Sequence, residues 1–326
     1  MSSATNGIFA IAQEAAFGAE APGPYKANGI QDENLTADNV IIYPRLINGS
    51  RAAALALPGP YSGAGSVAAL AHPEGILPRL LKGLMGQVAT TNLGGGAYQH
   101  VFTLKHDSTP LSFSAYVDHL AGKKLWLGAV VNALNISGGM SREVKISWDL
   151  AAKRDVETAV KTFSCSSARP FVWTDAAVTL NGVSISDVEN WNISLANNVE
   201  PVFTHNGTRF PQRFVFREFA ADGAFTLEFN DMTQQRRFWG AVDATGPLNS
   251  VLANSLVIHY TSPEQIATSG RYYQLKIDFS AILYTRGQPT LSGADTRVTQ
   301  NFAFRAIQPS GGEVITITVV NGEAAV

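Results

Sequence analysis

Two stretches 158 residues apart carry the same pattern, and this limits the chain to a fold that can be built twice. Gly65-Ser66-Val67-Ala68-Ala69-Leu70-Ala71 alternates like a strand and runs into an apolar, helix-like stretch from Pro73 to Met85. Gly223-Ala224-Phe225-Thr226-Leu227-Glu228-Phe229 also alternates, and a helical pattern from Asp231 to Trp239 follows. The offset is close to half of the 326 residues. Tandem repetition of one building block suits rings and sheets better than an enclosed active site.

In the first half, Ile76, Leu77, Leu80, Leu81 and Leu84 share one helical face, with Pro78 tolerable only in the first turn and Gly83 and Gly86 as the stop. Strands are expected at Asn39–Tyr43, His100–Lys105, Leu111–Val117, Leu127–Ile136 and Glu143–Leu150, and Ile8–Phe17 is a short apolar segment. Pro44–Gly65 is dense in Gly and Pro and reads as an extended loop or irregular hairpin. Asn92–Gly96 reads as a turn and Lys153–Lys161 as a linker or a short charged turn. In the second half, Phe171–Leu180, Val183–Leu195, Arg213–Phe219, Ala224–Phe229, Leu256–Tyr260, Tyr272–Tyr284 and Val298–Ile307 are strand candidates. Asn197–Gln212 is the matching loop, with Asn206-Gly207 at its tip. Asp231 and Gln234 are spaced as a capping box, and Phe238 and Trp239 stand where Leu80 and Leu81 stand in the first half. Val314–Val320 adds a final strand without a first-half counterpart. Helices this short and isolated do not wind parallel sheets. The expected fold is mainly β: two tandem β-sandwich or partial-barrel domains, residues 1–160 and 161–326, each with one packed α-helix.

Charged residues are only 15% of the chain against 45% hydrophobic, which points to surface hidden against other copies. A net charge of −2 gives no basic field for nucleic acid. The single cysteine, Cys165, excludes a disulfide framework and a multi-cysteine metal site. No segment has the length and apolarity of a membrane span, and Met1–Gly7 lacks signal-peptide character, so an intracellular product is expected. Of the six histidines, His100 and His106 share a strand face but lack further ligands. Gly63-Ala64-Gly65 precedes a strand rather than a helix, Gly94-Gly95-Gly96 has no Lys-Ser/Thr behind it, and Asp118-His119 has no serine elbow to serve. No cofactor is implied. Asp187, Glu189 and Glu200 read as a solvated face at least as well as an acid/base pair. Five Asn-x-Ser/Thr triplets, at Asn34, Asn48, Asn135, Asn192 and Asn206, mean little without a secretory route. Arg45 and Arg51 lie in the first long loop, Arg209 and Arg213 in or beside the second. They serve either solubility or pairing with carboxylates of a neighbouring copy, where the guanidinium fork is effective.

The Gly65–Ala71 strand with its helix to Met85, the run Trp126–Ile136, the run Glu143–Asp149 and the terminal Glu313–Gly322 segment together resemble the two-domain tail tube proteins of long-tailed bacteriophages. The resemblance spans most of the chain. It implies a structural, non-enzymatic subunit located in the virion tail and assembled in the host cytoplasm. Inner strands of each domain would join those of neighbours into a continuous barrel around a lumen, three chains making a pseudo-six-fold ring. The two long loops would contact the next ring. Implied partners are further copies of the chain, the tape-measure protein and genomic DNA in the lumen, and tail terminator and tail-tip proteins, with no membrane. The other reading from the residues is a ligand- or carbohydrate-binding β-sandwich of a fibre or baseplate, with Trp173, Trp191, Tyr272 and Tyr273 lining a groove. An enzyme is disfavoured because no acid, base, nucleophile or metal cluster stands out.

Overall fold

Alternation of apolar and polar residues over most of the chain produces strands, and the computed structural model is mainly β with two α-helices among the described residues. Those residues are 7–47, 49, 51–53, 55–107, 109–291 and 297–326; Met1–Asn6 and Asn48 lie outside them. The first half contains β1 (Ile8–Gln13), β2 (Tyr25–Ala27), β3 (Ile30–Glu33), β4 (Thr36–Ile42), β5 (Leu57–Leu70), α1 (Ile76–Met85), β6 (Gly86–Gly94), β7 (Ala97–Leu104), β8 (Phe113–Asp118), β9 (Lys123–Gly139), β10 (Lys145–Ala152) and β11 (Arg154–Glu157). There follow β12 (Phe163–Cys165), β13 (Ala176–Leu180), β14 (Val183–Ile185), β15 (Val188–Ala196), β16 (Glu200–Val202), β17 (Arg213–Val215), β18 (Ala220–Glu228), α2 (Thr233–Trp239), β19 (Asn254–Gln265), β20 (Tyr272–Thr290), β21 (Thr299–Ala306) and β22 (Thr316–Asn321).

One antiparallel run crosses the whole chain in the order β4–β5–β10–β9–β15–β18–β21–β20, with β3 continuing the β4 edge. The two halves meet inside it, where β9 pairs with β15 from Ala133↔Ala196 to Gly139↔Asn190. Each half repeats the same registers. Asn34 lies beside Ser66 across the β3–β4/β5 edge, and Asn192, 158 residues later, pairs with Ala224 across β15/β18. A bulge between Asp149 and Leu150 on the β10–β9 pair recurs between Ala303 and Phe304 on the β21–β20 pair.

A second layer covers the inner face of this run. In the first half it is β12–β2–β1–β8, joined to the amino-terminal part of β9. Phe9 of β1 meets Trp148 of β10 edge-on, ring centroids 5.6 Å apart. β9 belongs to both layers, and it turns between them at Gly128, whose φ of 63° L side chains rarely adopt. In the second half the cover is β14–β13–β19–β20, extended by β22, β7 and β6. The apolar core between the layers is continuous, from Phe9 through Trp148 and Tyr260 to Val320.

α1 seals the core of the first half with eight buried residues, Ile76 and Leu84 among them. The Asn28 side chain accepts the Ile76 N–H at 2.7 Å and so serves the helix N-terminus. α2 buries only Gln235, whose carbonyl accepts from the Gln300 amide at 2.7 Å. The expected capping box does not form. Asp231 accepts the Thr233 N–H at 2.7 Å, but Gln234 turns instead to the Tyr284 hydroxyl.

Several other expectations change. Of the two readings of Pro44–Gly65 the irregular hairpin holds, since β4 and β5 pair antiparallel from Ile42↔Leu57 with a register shift between Asn39 and Ile41, and the glycines of β5 serve close approach as well as turning. A Cβ on Gly65 would stand 2.7 Å from the Asn34 carbonyl, and one on Gly223 the same 2.7 Å from that of Asn192. Lys153–Lys161 is not a free linker, since β11 continues β10 along the same edge of β9. Val183–Leu195 breaks at Ser186-Asp187 into β14 and β15, and a 3-10 turn at Trp173–Asp175 precedes β13. Arg213–Phe219 is a strand only as far as Val215.

Candidate assembly surface

The long antiparallel run ends at two edges that carry no strand partner among the described residues. One is the outer side of β3–β4; the other is the outer side of β20 beyond Ile282, where β19 stops. Unpaired edges invite a further strand, and monomeric proteins usually blunt them. Asp38 projects at the first edge and Arg286 at the second, both exposed and neither with an ion-pair or hydrogen-bond partner among the described residues.

The two faces of the run differ sharply. Following the registers strand by strand, one row reads Val67, Trp148, Leu134, Leu195 and Ala221, all buried. The adjacent row on the opposite face reads Asp32, Ala68, Ser147, Asn135, Ser194, Asp222 and Arg305. That face is small and polar, and it nearly cancels its own charge. The Arg305 guanidinium grips Asp222 with two bonds of 2.7 and 2.9 Å. Asp149 lies on the same face, half-buried, and its carboxyl is pushed up by desolvation.

The two long loops behave differently from each other. From Val40 to Ile47 the first presents Val40, Ile41, Ile42, Tyr43, Leu46 and Ile47 to solvent, Tyr43 at 60% exposure. Arg45 and Arg51 are exposed on this arm. The second is a hairpin, β16–β17, whose tip folds back onto the base of the first arm. The Arg209 carbonyl accepts the Tyr61 N–H at 2.9 Å, and its guanidinium lies over the Tyr61 ring and donates to Asn39. Phe210 packs edge-on against the same ring at 5.7 Å. The Tyr61 hydroxyl donates to Asp155, and this bond, with burial, raises its pKa to about 12. Arg209 is thus engaged within its own chain, while Arg213 on β17 stays exposed.

The last strand ties the halves together a second time, between β20 and β7. His100 of β7 is fully buried, its Nε2 at 3.0 Å from the Asn321 side-chain oxygen and 2.9 Å from the Glu323 carbonyl, its Nδ1 at 2.9 Å from the Thr90 hydroxyl. Burial holds its pKa below the ordinary value, outweighing those bonds and the nearby Glu323 carboxylate. Burial alone would raise the Glu323 carboxyl, but Arg79 at 2.9 Å and Lys26 at 3.0 Å reverse that and hold it below its usual range.

A family model described as phage tail tube protein matches residues 4–306, nearly the whole chain. The chain belongs to that family. It is a structural subunit of a viral tail. A comparison with curated proteins finds no match. The matched range includes both free edges and both arms of this tail tube chain; β22 lies beyond it.

The other residues singled out in the sequence are dispersed. Trp191 is buried, its indole N–H bonded to the Tyr260 hydroxyl at 3.0 Å, and Tyr273 is buried as well, while Trp173 and Tyr272 are exposed. Two of the four proposed groove aromatics are therefore core residues of the tail tube chain. Asp187 pairs with Asn230 and Glu200 with Arg217 at the surface, while Glu189, mostly buried, pairs with the exposed Arg297. His106 is exposed and far in character from buried His100. Among the described residues no group of three or more His, Cys, Asp and Glu is placed to hold a metal ion. Asp38 and Arg286 drew no attention in the sequence, because each is a lone charge in a strand. Comparing the two halves position by position is the signal that finds them: their counterparts are Ala196 and Ala133.

Proposed function

We propose that this tail tube chain consists of two tandem tube domains, close to residues 1–160 and 161–326, and that three copies close a pseudo-six-fold ring. The supporting observation is the long antiparallel run with open edges at both ends and a seam between its halves already formed. A heterologous contact repeated with rotation closes a ring, and with rise it continues as a tube. Three chains would contribute three such runs to one barrel. The small polar face, with Ser147, Asn135 and Ser194, would line the lumen. Near-neutral polar walls make few phosphate contacts, so DNA and the tape-measure protein would pass without being held.

The exposed apolar arm from Val40 to Ile47, with Arg45 and Arg51, would reach the adjacent ring. Arg213 would act at the same level, and Arg209 would brace the arm through Tyr61. On this reading the chain would assemble in the host cytoplasm into a long, flexible, siphovirus-type tail, capped by terminator and tip proteins. Negative-stain electron microscopy of the purified chain over a concentration series tests it. Hollow tubes or rings with three-fold symmetry are the expected result. Monomers at every concentration, with tail-tip complexes added as initiators, would refute it.

A further inference from the structure

The seam inside the chain supplies a template for the seam between chains. Because Asn34 and Asn192 play the same part against Gly65 and Gly223, β15 residues correspond to β4-edge residues 158 positions earlier. The shared bulge fixes the other side. Ala133 pairs with Asp149 just before it, and Arg286 pairs with Ala303 at the same point, so β20 residues correspond to β9 residues 153 positions earlier. β9 and β15 pair as Ala133↔Ala196, Leu134↔Leu195, Asn135↔Ser194 and Ile136↔Ile193.

Transferred to the free edges, those pairs become Arg286 with Asp38, Gly287 with Ala37, Gln288 with Thr36 and Pro289 with Leu35. We infer that β20 of one copy adds to the β3–β4 edge of the next in this antiparallel register, with Arg286 directly opposite Asp38. The inference rests on the tube reading and goes beyond it by naming the partners. Three features of the edges support it. The charges are opposite on the two edges, so a head-to-tail seam is attractive, whereas joining two β3–β4 edges would bring Asp38, Asp32 and Glu33 together. Both side chains are exposed, and neither has an ion-pair or hydrogen-bond partner among the described residues. Leu35 is buried while Pro289 is exposed on the core side, as expected for a wall that the next copy completes. A slip by one residue would turn Arg286 and every neighbour to the wrong face.

Cysteine pairs test the register in the full chain, with Cys165→Ser removing the exposed native thiol. Directly opposed residues of an antiparallel pair have Cα atoms about 4.5–5.5 Å apart, within disulfide reach. Within one chain the two edges are seven strand spacings apart, about 30 Å, so no intrachain bond can form. Oxidation of assembled Asp38→Cys/Arg286→Cys is expected to give covalent multimers ending at three chains. Asp38→Cys/Gln288→Cys, displaced by two residues, is expected to cross-link at least about tenfold more slowly. Asp38→Arg and Arg286→Asp should each lower assembly several-fold, and the double reversal should restore it. Normal tubes that cross-link only through Gln288→Cys, or through neither pair, would overturn the register and leave the tube reading standing. Absence of any assembly by the unmodified chain would overturn both.

Discussion

Two asparagine carbonyls and two glycines show how small a difference decides a register. Gly65 and Gly223 each face the backbone of the neighbouring strand, and backbone cannot rotate away as a side chain can. At Gly223 the Phe304 ring closes the remaining space at 2.4 Å. Gly65→Ala and Gly223→Ala should each destabilise the fold by about 1–3 kcal/mol, the range for overpacking a tight site. Denaturant titration of each variant measures it, and an unchanged midpoint at both sites would contradict the close approach. In the sequence such glycines count as breakers, since a one-letter pattern does not distinguish a residue chosen for φ from one chosen for the absence of Cβ. Gly128 is the first kind and Gly65 the second. By contrast the Ile76–Leu84 face was legible, because large aliphatics at helical spacing match neither the period of a strand nor the composition of a turn, and all of α1's apolar face is buried.

Elements were legible where alternation was strong and illegible where exposure erased it. β6 carries Gln87, Thr90, Thr91 and Asn92, is largely exposed, and has no apolar period to betray it. β22 stands out as a strand in the sequence, but its place between β20 and β7 depends on partners more than 200 positions away in the case of β7. The buried imidazole at that junction makes the strand's docking sensitive to acid. A histidine whose folded pKa lies below its unfolded value of about 6.5 resists protonation in the fold, so the unfolded chain binds more protons. Its contribution is complete above the unfolded value of about 6.5 and is lost progressively below it, as pH falls through the lower folded pKa. Glu323 adds a second loss at lower pH, because its depressed carboxyl must be protonated. Thermal melts should therefore weaken progressively below about pH 6.5, and His100→Gln should flatten the first part of that decline. Equal slopes in the two proteins would exclude the imidazole as the cause. The apolar arm behaves in the opposite sense. Ile42→Ser or Tyr43→Ser removes surface that the single chain leaves in water, so its stability should change by less than about 0.5 kcal/mol. Stacking of rings, read as tube length in micrographs, should fall sharply; tubes of normal length would show that the arm does not reach the next ring.

At the level of the whole molecule, neither edge of the run was visible in the sequence, because strand order depends on which edges meet and no local signal records that. The arginines of the loops drew attention by their setting, whereas Asp38 and Arg286 acquire meaning only from the order of strands. A single opposed charge pair in each proposed seam, in a chain of net charge −2, would also limit what salt can do. Raising ionic strength from about 0.05 to 0.5 M should weaken assembly by less than about tenfold, since an exposed pair contributes at most about 1 kcal/mol. Light scattering against salt measures this, and a steeper loss would point to a charged interface elsewhere. The β9–β15 seam has a further bearing on how quickly such a structure can begin. Every encounter between free molecules surrenders translational and rotational freedom, about 4–15 kcal/mol at standard concentration. A join made during folding surrenders none of it. A ring whose alternate joins are internal therefore comes together from three bodies in two encounters, where separate halves would need six bodies and five encounters, and its nucleation should depend on a correspondingly lower power of subunit concentration.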